Sequence, residues 1–189
     1  STENNVINES KQIIEFNEPI KKDKIILTNN YSVEPKIINV QNKLYNATIS
    51  NHAGGTFLET HIVEKNNDYY KYLSNTIENL GFPVILKPLN NNYCNPCLGY
   101  YDNDSNEYSY INEPFTLLTD NTLSDYYLDE QDSLILEFQY IAKNGLEINK
   151  SVVFYGNSYQ TKHNYQLNNN SLLNNIELIW DGGLAPIEK

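Results

Sequence analysis

The chain contains no methionine and no arginine, and it has only 1 tryptophan and 2 cysteines in 189 residues. Each shortage removes options. Without arginine all 13 basic residues are lysine, set against 24 carboxylates, and the formal net charge is −11. Affinity for a phosphate backbone comes from clustered Lys and Arg, so a duplex nucleic acid is repelled rather than bound. No stretch approaches the roughly eighteen consecutive apolar residues of a membrane span, and no signal-peptide hydrophobic region is visible. No Walker loop, GxSxG or HExxH occurs. A chain without methionine does not begin at a natural start, so the sequence reads as a piece of a longer protein with excised ends.

What is present is alternation. Residues 44–64, LYNATISNHAGGTFLETHIVE, organise the chain. A period of two runs through Leu44 to Asn51 and resumes from Thr56 to Val63, with Asn51-His52-Ala53-Gly54-Gly55 between. Period two marks half-buried strands, and two adjacent glycines permit the positive φ of a reversal. A β-hairpin follows.

Around it, residues 1–23 are polar and weakly patterned and read as an N-terminal tether. Residues 24–189 read as one β-domain. Strands are expected at 24–28, 36–41 and 83–89, the last at an edge because prolines flank it. Residues 98–102 and 107–111 pair across an Asn/Asp/Ser turn, and 115–119 and 125–129 are short candidates. Residues 134–142, 147–155 and 160–167 form an antiparallel meander, and 176–180 is the last strand. Between 66 and 81 the period changes: Tyr69, Tyr72, Leu73, Thr76, Ile77 and Leu80 recur at three- and four-residue steps, with Gly81 as a C-cap, so a short helix is expected. About ten strands with at most one or two short helices make the chain all-β, an antiparallel sandwich.

Cys94-Asn-Pro-Cys97 is the most chemical stretch. A CxxC serves as a redox pair, half a zinc site, a local disulfide or two thiols pinning a turn. Its flanks are loop-like, whereas a thioredoxin-type pair opens a helix after a buried strand. Zinc needs two further ligands, and only His52, His61 and His163 are on offer. The weight falls on a structural disulfide in an oxidising compartment or on two reduced thiols. Acid–base work on a sugar needs two groups at fixed separation. His61 with Glu59, or His163 with Glu137 or Glu147, are the imaginable pairs, and the spacing selects none. Tyrosines crowd one region (Tyr69, Tyr70, Tyr72, Tyr93, Tyr100, Tyr101, Tyr108, Tyr110), where a sugar or an extended peptide would find aromatic surface. Tyrosine is also an ordinary strand residue. Trp180 is expected in the core where the final strand meets the sandwich.

TISNHAGGTFLETHIVEK resembles the "T-I-S-x-x-G-G-x-(I/L/V)-x-x-x-x-L-x-x-Y" stretch that opens the large periplasmic domain of YidC-type membrane protein insertases. Residues 134–167 are similar to that family's "strand, turn-Gly, K-x-(F/V)-x-(F/L)-x-x-x-x-Y-x-(I/V)" run. Residues 176–188, IELIWDGGLAPIE, resemble its "x-L-x-W-x-x-G-L-x-x-x-E" stretch. Asn51, Gly54, Gly55, Trp180, Gly183 and Leu184 fall on these motifs as structural positions.

The resemblance, in order over about 33–188, implies a β-supersandwich related to galactose mutarotase-like folds, in a family whose domain is usually longer. It implies an accessory domain on the periplasmic side of the bacterial inner membrane, with membrane helices outside this piece. Insertion belongs to that absent bundle, so no catalytic, cofactor or metal residue is carried over. The partners implied are Sec translocon subunits, nascent membrane proteins and the rest of the insertase. A carbohydrate-binding or carbohydrate-active sandwich is the alternative.

Overall fold

The computed structural model describes residues 32–74, 81–89, 92–102, 107–120, 122–143, 145–168 and 175–180. Among these residues the chain is all-β. The organising hairpin consists of β2 (Tyr45–Ser50) and β3 (Thr56–Ile62), preceded by β1 (Ile37–Gln41). β1 and β2 pair antiparallel, as do β2 and β3, with one register shift at Thr48/Ile49. Ile38, Val40, Tyr45, Ala47 and Ile49 are buried, the inward phase of the alternation. The tether at 1–23 and the strand expected at 24–28 lie outside the described residues.

The short helix expected from 66 to 81 is not formed in its described part. Residues β4 (Lys65–Asn66) and β5 (Tyr69–Tyr70) pair as a small hairpin through Asn67, whose φ is 55°. Leu73 then bridges to Pro83. Tyrosine is an indifferent helix former, and an Asn-Asp pair offers a turn instead. The rest of the expected helix, 75–80, lies outside the described residues. β6 (Ile85–Leu86) adds to β3 at the edge of the sheet, shorter than the expected 83–89.

β7 (Cys97–Asp102) and β8 (Glu107–Ile111) pair as anticipated, and β9 (Thr116–Leu117) and β10 (Asp125–Tyr127) are short. β10 joins β1 in parallel, the one departure from an antiparallel layout among the described residues. The Asn39 side chain donates to Asp125 Oδ1 at 2.8 Å, which fixes that register. The meander is the longest regular feature: β11 (Ser133–Ile141), β12 (Glu147–Tyr155) and β13 (Lys162–Asn168). β14 (Ile176–Ile179) closes on β7.

The sheets run β10-β1-β2-β3-β6, β13-β12-β11-β9 and β14-β7-β8, beside the small β4-β5 hairpin. The first two meet through a common core. Ile38, Val40 and Ile49 from one side join Leu136, Phe138, Ile148, Val152 and Phe154 from the other. Each such burial contributes about 1.5–3 kcal/mol, so the alternation dictates which faces come together. The molecule is a β-sandwich with a third, smaller sheet carrying Leu98, Tyr100 and Ile111 into the same core.

Candidate functional site

The five residues between β2 and β3 are buried or nearly so, although they form a turn. Asn51 is 2% exposed and accounts for the inward fold of the loop. Its Oδ1 accepts from Lys36 N at 2.8 Å, and its Nδ2 donates to Glu34 O at 3.0 Å and Phe115 O at 2.9 Å. One amide thereby ties the hairpin loop to two other backbone segments, 34–36 and Phe115, using both its donor and acceptor ends. Ala53, Gly54 and Gly55 follow at φ 51°, 68° and 94°. A Cβ on Gly54 would stand 2.9 Å from both Lys150 Cδ and Phe115 Cδ2. A Cβ on Gly55 would stand 3.1 Å from Phe138 Cε2 and Val152 Cγ2. The two glycines are required for conformation and for space together.

Lys150 arrives from β12 in phase with Ile148, Val152 and Phe154, so the sheet pattern sends an ammonium into the core. It is 2% exposed. Its Nζ donates to Ala53 O at 2.9 Å and reaches Pro96 O at 3.4 Å, and it lies 4.9 Å from the Tyr165 ring centre. No described carboxylate pairs with it. Burial pushes its pKa down to about 7. Burial, with the Lys150 charge as a smaller cause, also lowers neighbouring His163 to about 4. Sequence reasoning assigned Lys150 no role, yet the signal was there: a lysine at an inward position of a strongly alternating strand.

Cys94 and Cys97 are joined by a disulfide, and both are fully buried with Ala53 and Ile179 around them. Asn95, between them, donates its N–H to Thr56 Oγ1 at 2.9 Å and accepts from Phe57 N at 2.8 Å. The CxxC turn therefore seals the exit of the hairpin. Among the described residues no three His, Cys, Asp or Glu side chains converge on a metal position.

The acid–base pairs imagined from sequence fare differently. His61 and Glu59 do touch through Nε2 and Oε1, but Lys87 also holds Glu59 at 2.6 Å. Burial works to raise the Glu59 carboxyl; hydrogen bonds from Lys87 and His61 outweigh it and hold it low. His163 pairs in register with Val152 and faces inward, whereas Glu137 and Glu147 belong to the outward phase. Strand periodicity separates them onto opposite faces. Glu147 is instead engaged by Asn149, Asn168 and Gln139 side chains.

The crowded tyrosines whose side chains are described sit in different surroundings. Tyr100 is core, Tyr69 is 80% exposed on the small hairpin, and Tyr93 stacks on His52 at 3.9 Å. The His52 imidazole bonds the Ser50 hydroxyl at 2.7 Å, and burial lowers its pKa.

A different aromatic set forms a cavity of about 220 Å³, whose walls include Tyr45, Phe57, Ile62, Leu86, Pro88 and Trp180. Trp180, expected in the core, is half exposed there and stacks over Phe57 with centroids 6.4 Å apart. It follows the short β14, whose pairing with β7 leaves the indole at the rim. Gly183 and Leu184 lie outside the described residues. No protein-family model matches the chain, and no curated protein matches it.

Proposed function

We propose that this chain is the extracytoplasmic domain of a YidC-type membrane protein insertase, an accessory domain that assists insertion and folding of inner-membrane proteins. One observation carries the reading: stretches of resemblance far apart in sequence meet in space. Lys150, the lysine of the K-x-(F/V)-x-(F/L) pattern, donates to the backbone beside the Gly54-Gly55 pair. Trp180, from the third stretch, stacks over Phe57, two residues past the same pair. Motifs that lock one another in place are what a shared fold requires of its signature residues.

The buried disulfide accords with an oxidising compartment on the outer side of the inner membrane. The net charge of −11 disfavours nucleic acid as a partner. The domain holds and touches; its partners are the membrane bundle of its own protein, Sec translocon subunits and nascent membrane proteins. A photoreactive amino acid placed on the exposed face in cells tests this. Crosslinks to Sec subunits or newly made inner-membrane proteins are expected. A full-length gene that encodes no apolar membrane span on either side of this sequence overturns the reading.

A further inference from the structure

We propose that the Cys94–Cys97 pair is a redox-set latch for the final strand: β14 docks on β7 over joined sulfurs and is released when they are two thiols. The latch does not depend on the insertase reading.

β14 has little else to hold it. It is an edge strand, paired among the described residues with β7 alone, and the pairing runs only from Ile176 to Ile179. Glu177 and Leu178 are exposed, and Ile176 and Ile179 are only half-buried. Ile179 is the anchor. It pairs in register with Cys97 and packs against the cluster of Ala53, Cys94 and Cys97. Its side chain also fills the space that a Cβ on Gly99 would claim. Its carbonyl oxygen lies 3.9 Å from Cys94 Sγ. Both cysteines are fully buried, so the strand rests on the disulfide.

Reduction adds volume at this point. A covalent bond holds two sulfurs closer together than unbonded thiols can approach, and a close-packed interior feels even small additions. One neighbour has to move. Ala53 is pinned at both ends: its N–H donates to Glu113 O at 2.9 Å and its carbonyl accepts from Lys150 Nζ at 2.9 Å. Asn95 and Pro96, between the cysteines, are tied to Thr56, Phe57 and Lys150. Ile179 sits on a short edge strand, and it is the neighbour that gives way. Trp180 follows it, and its stacking over Phe57 is lost with it.

The latch is set by a two-electron exchange with a disulfide-bearing oxidant. One cysteine thiolate attacks the oxidant's disulfide, and the second cysteine then displaces the resulting mixed disulfide. The S–S bond of the pair forms as the oxidant's bond breaks, and the oxidant leaves as two thiols carrying the two cysteine protons. A thiolate has to reach the sulfur for this, so the exchange precedes closure of the hairpin tip over the turn. Docked β14 thereby records that the chain met an oxidising compartment before it folded.

The full 189-residue chain is unfolded in urea and refolded either oxidised or with dithiothreitol kept present. Cys94→Ala/Cys97→Ala is refolded alongside. Hydrogen exchange is read by mass spectrometry on the peptides covering β14 and β12, and the emission of Trp180, the only tryptophan, is recorded. In the reduced chain β14 is expected to exchange at least tenfold faster than in the oxidised one, with β12 within twofold and Trp180 emission at longer wavelength. The alanine pair, smaller than two thiols, should keep β14 as protected as the disulfide does. Unchanged β14 protection in the reduced chain, an equal loss in β12, or release of β14 in the alanine pair overturns the latch.

Discussion

Lys150 Nζ lies 2.9 Å from the carbonyl oxygen of Ala53, a residue 97 positions earlier in the chain. A lysine whose head is turned inward is unusual; the side chain normally buries its stem and keeps the ammonium in water. Here the stem lies against Gly54 and the head is held by two carbonyls and the Tyr165 ring. The contact converts the hairpin tip from a surface turn into part of the core.

Stability should therefore rise with pH above neutrality. An unfolded lysine titrates near 10.4, whereas burial brings folded Lys150 to about 7. Between those values the unfolded state holds the extra proton, and stability increases with pH wherever that is so. The penalty for a buried charge is complete below about pH 7 and is relieved as pH climbs towards 10. Buried tyrosines reverse the trend above about pH 10, because Tyr45, raised to about 12 by burial, keeps its proton when its unfolded counterpart does not. Urea midpoints at pH 7.0 and 9.5 are expected to increase, and Lys150→Met should flatten the difference. A flat profile in the unmutated chain would show that the amine is not confined.

Gly54→Ala should cost about 2–4 kcal/mol, the sum of left-handed strain and overpacking. The added methyl meets Lys150 and Phe115 at 2.9 Å, and the backbone is at φ 68°. Gly145→Ala is the control. Its φ is 88° with nothing within 4 Å of the new Cβ, so only backbone strain remains, about 1 kcal/mol. Chemical denaturation of both variants measures the gap, which is the worth of the close approach at the hairpin tip.

How much of this was written in the residues depends on whether the information was local. The meander was legible because Leu134 to Leu167 alternate strictly and the turns carry Asn and Gly. Its register placed Ile148, Lys150, Val152 and Phe154 on one buried face. The Gly-Gly hairpin was legible for the same reason. The described part of the helix expected over 66–81 is a hairpin instead, because the Asn67 turn that decides it is a two-residue signal set among tyrosines at helical steps. The parallel β1–β10 pairing joins residues 86 positions apart and leaves no local trace. Trp180 is expected in the core where the final strand meets the sandwich; its place at a cavity rim depends on where β14 docks on β7. Long-range packing, which alone creates the Tyr45 cavity, has no one-dimensional signature.

Asn51→Ala should destabilise by about 2–4 kcal/mol, since it strips partners from Lys36 N, Glu34 O and Phe115 O together. Asn51→Asp separates hydrogen bonding from shape. One carboxylate oxygen can still accept from Lys36 N, but the other replaces the amide nitrogen and faces the Glu34 and Phe115 carbonyls with no proton to give either. It should be at least as damaging as alanine at pH 7 in thermal melts. If Asp is tolerated as well as Asn, the amide's two donor bonds contribute nothing to the junction.

The disulfide gives a kinetic prediction as well as a thermodynamic one. It closes a loop with a sequence separation of 3, for which the chain-entropy model gives only about 2 kcal/mol. Replacing both Cys94 and Cys97 by serine should exceed that figure, because two buried apolar sulfurs become hydroxyls beside Ala53 and Ile179. Replacing both by alanine should stay near it. Access is the second consequence. Both sulfurs are fully buried, and thiol–disulfide exchange requires a thiolate to reach one of them. In native buffer, a millimolar dithiol should reduce the bond at least a hundredfold more slowly than it reduces the same disulfide in the urea-unfolded chain, because attack waits on opening of the region. Mass-spectrometric counting of alkylated thiols over time measures both rates. Equal rates in the folded and unfolded chain would mean that the CxxC segment is not sealed by the hairpin above it.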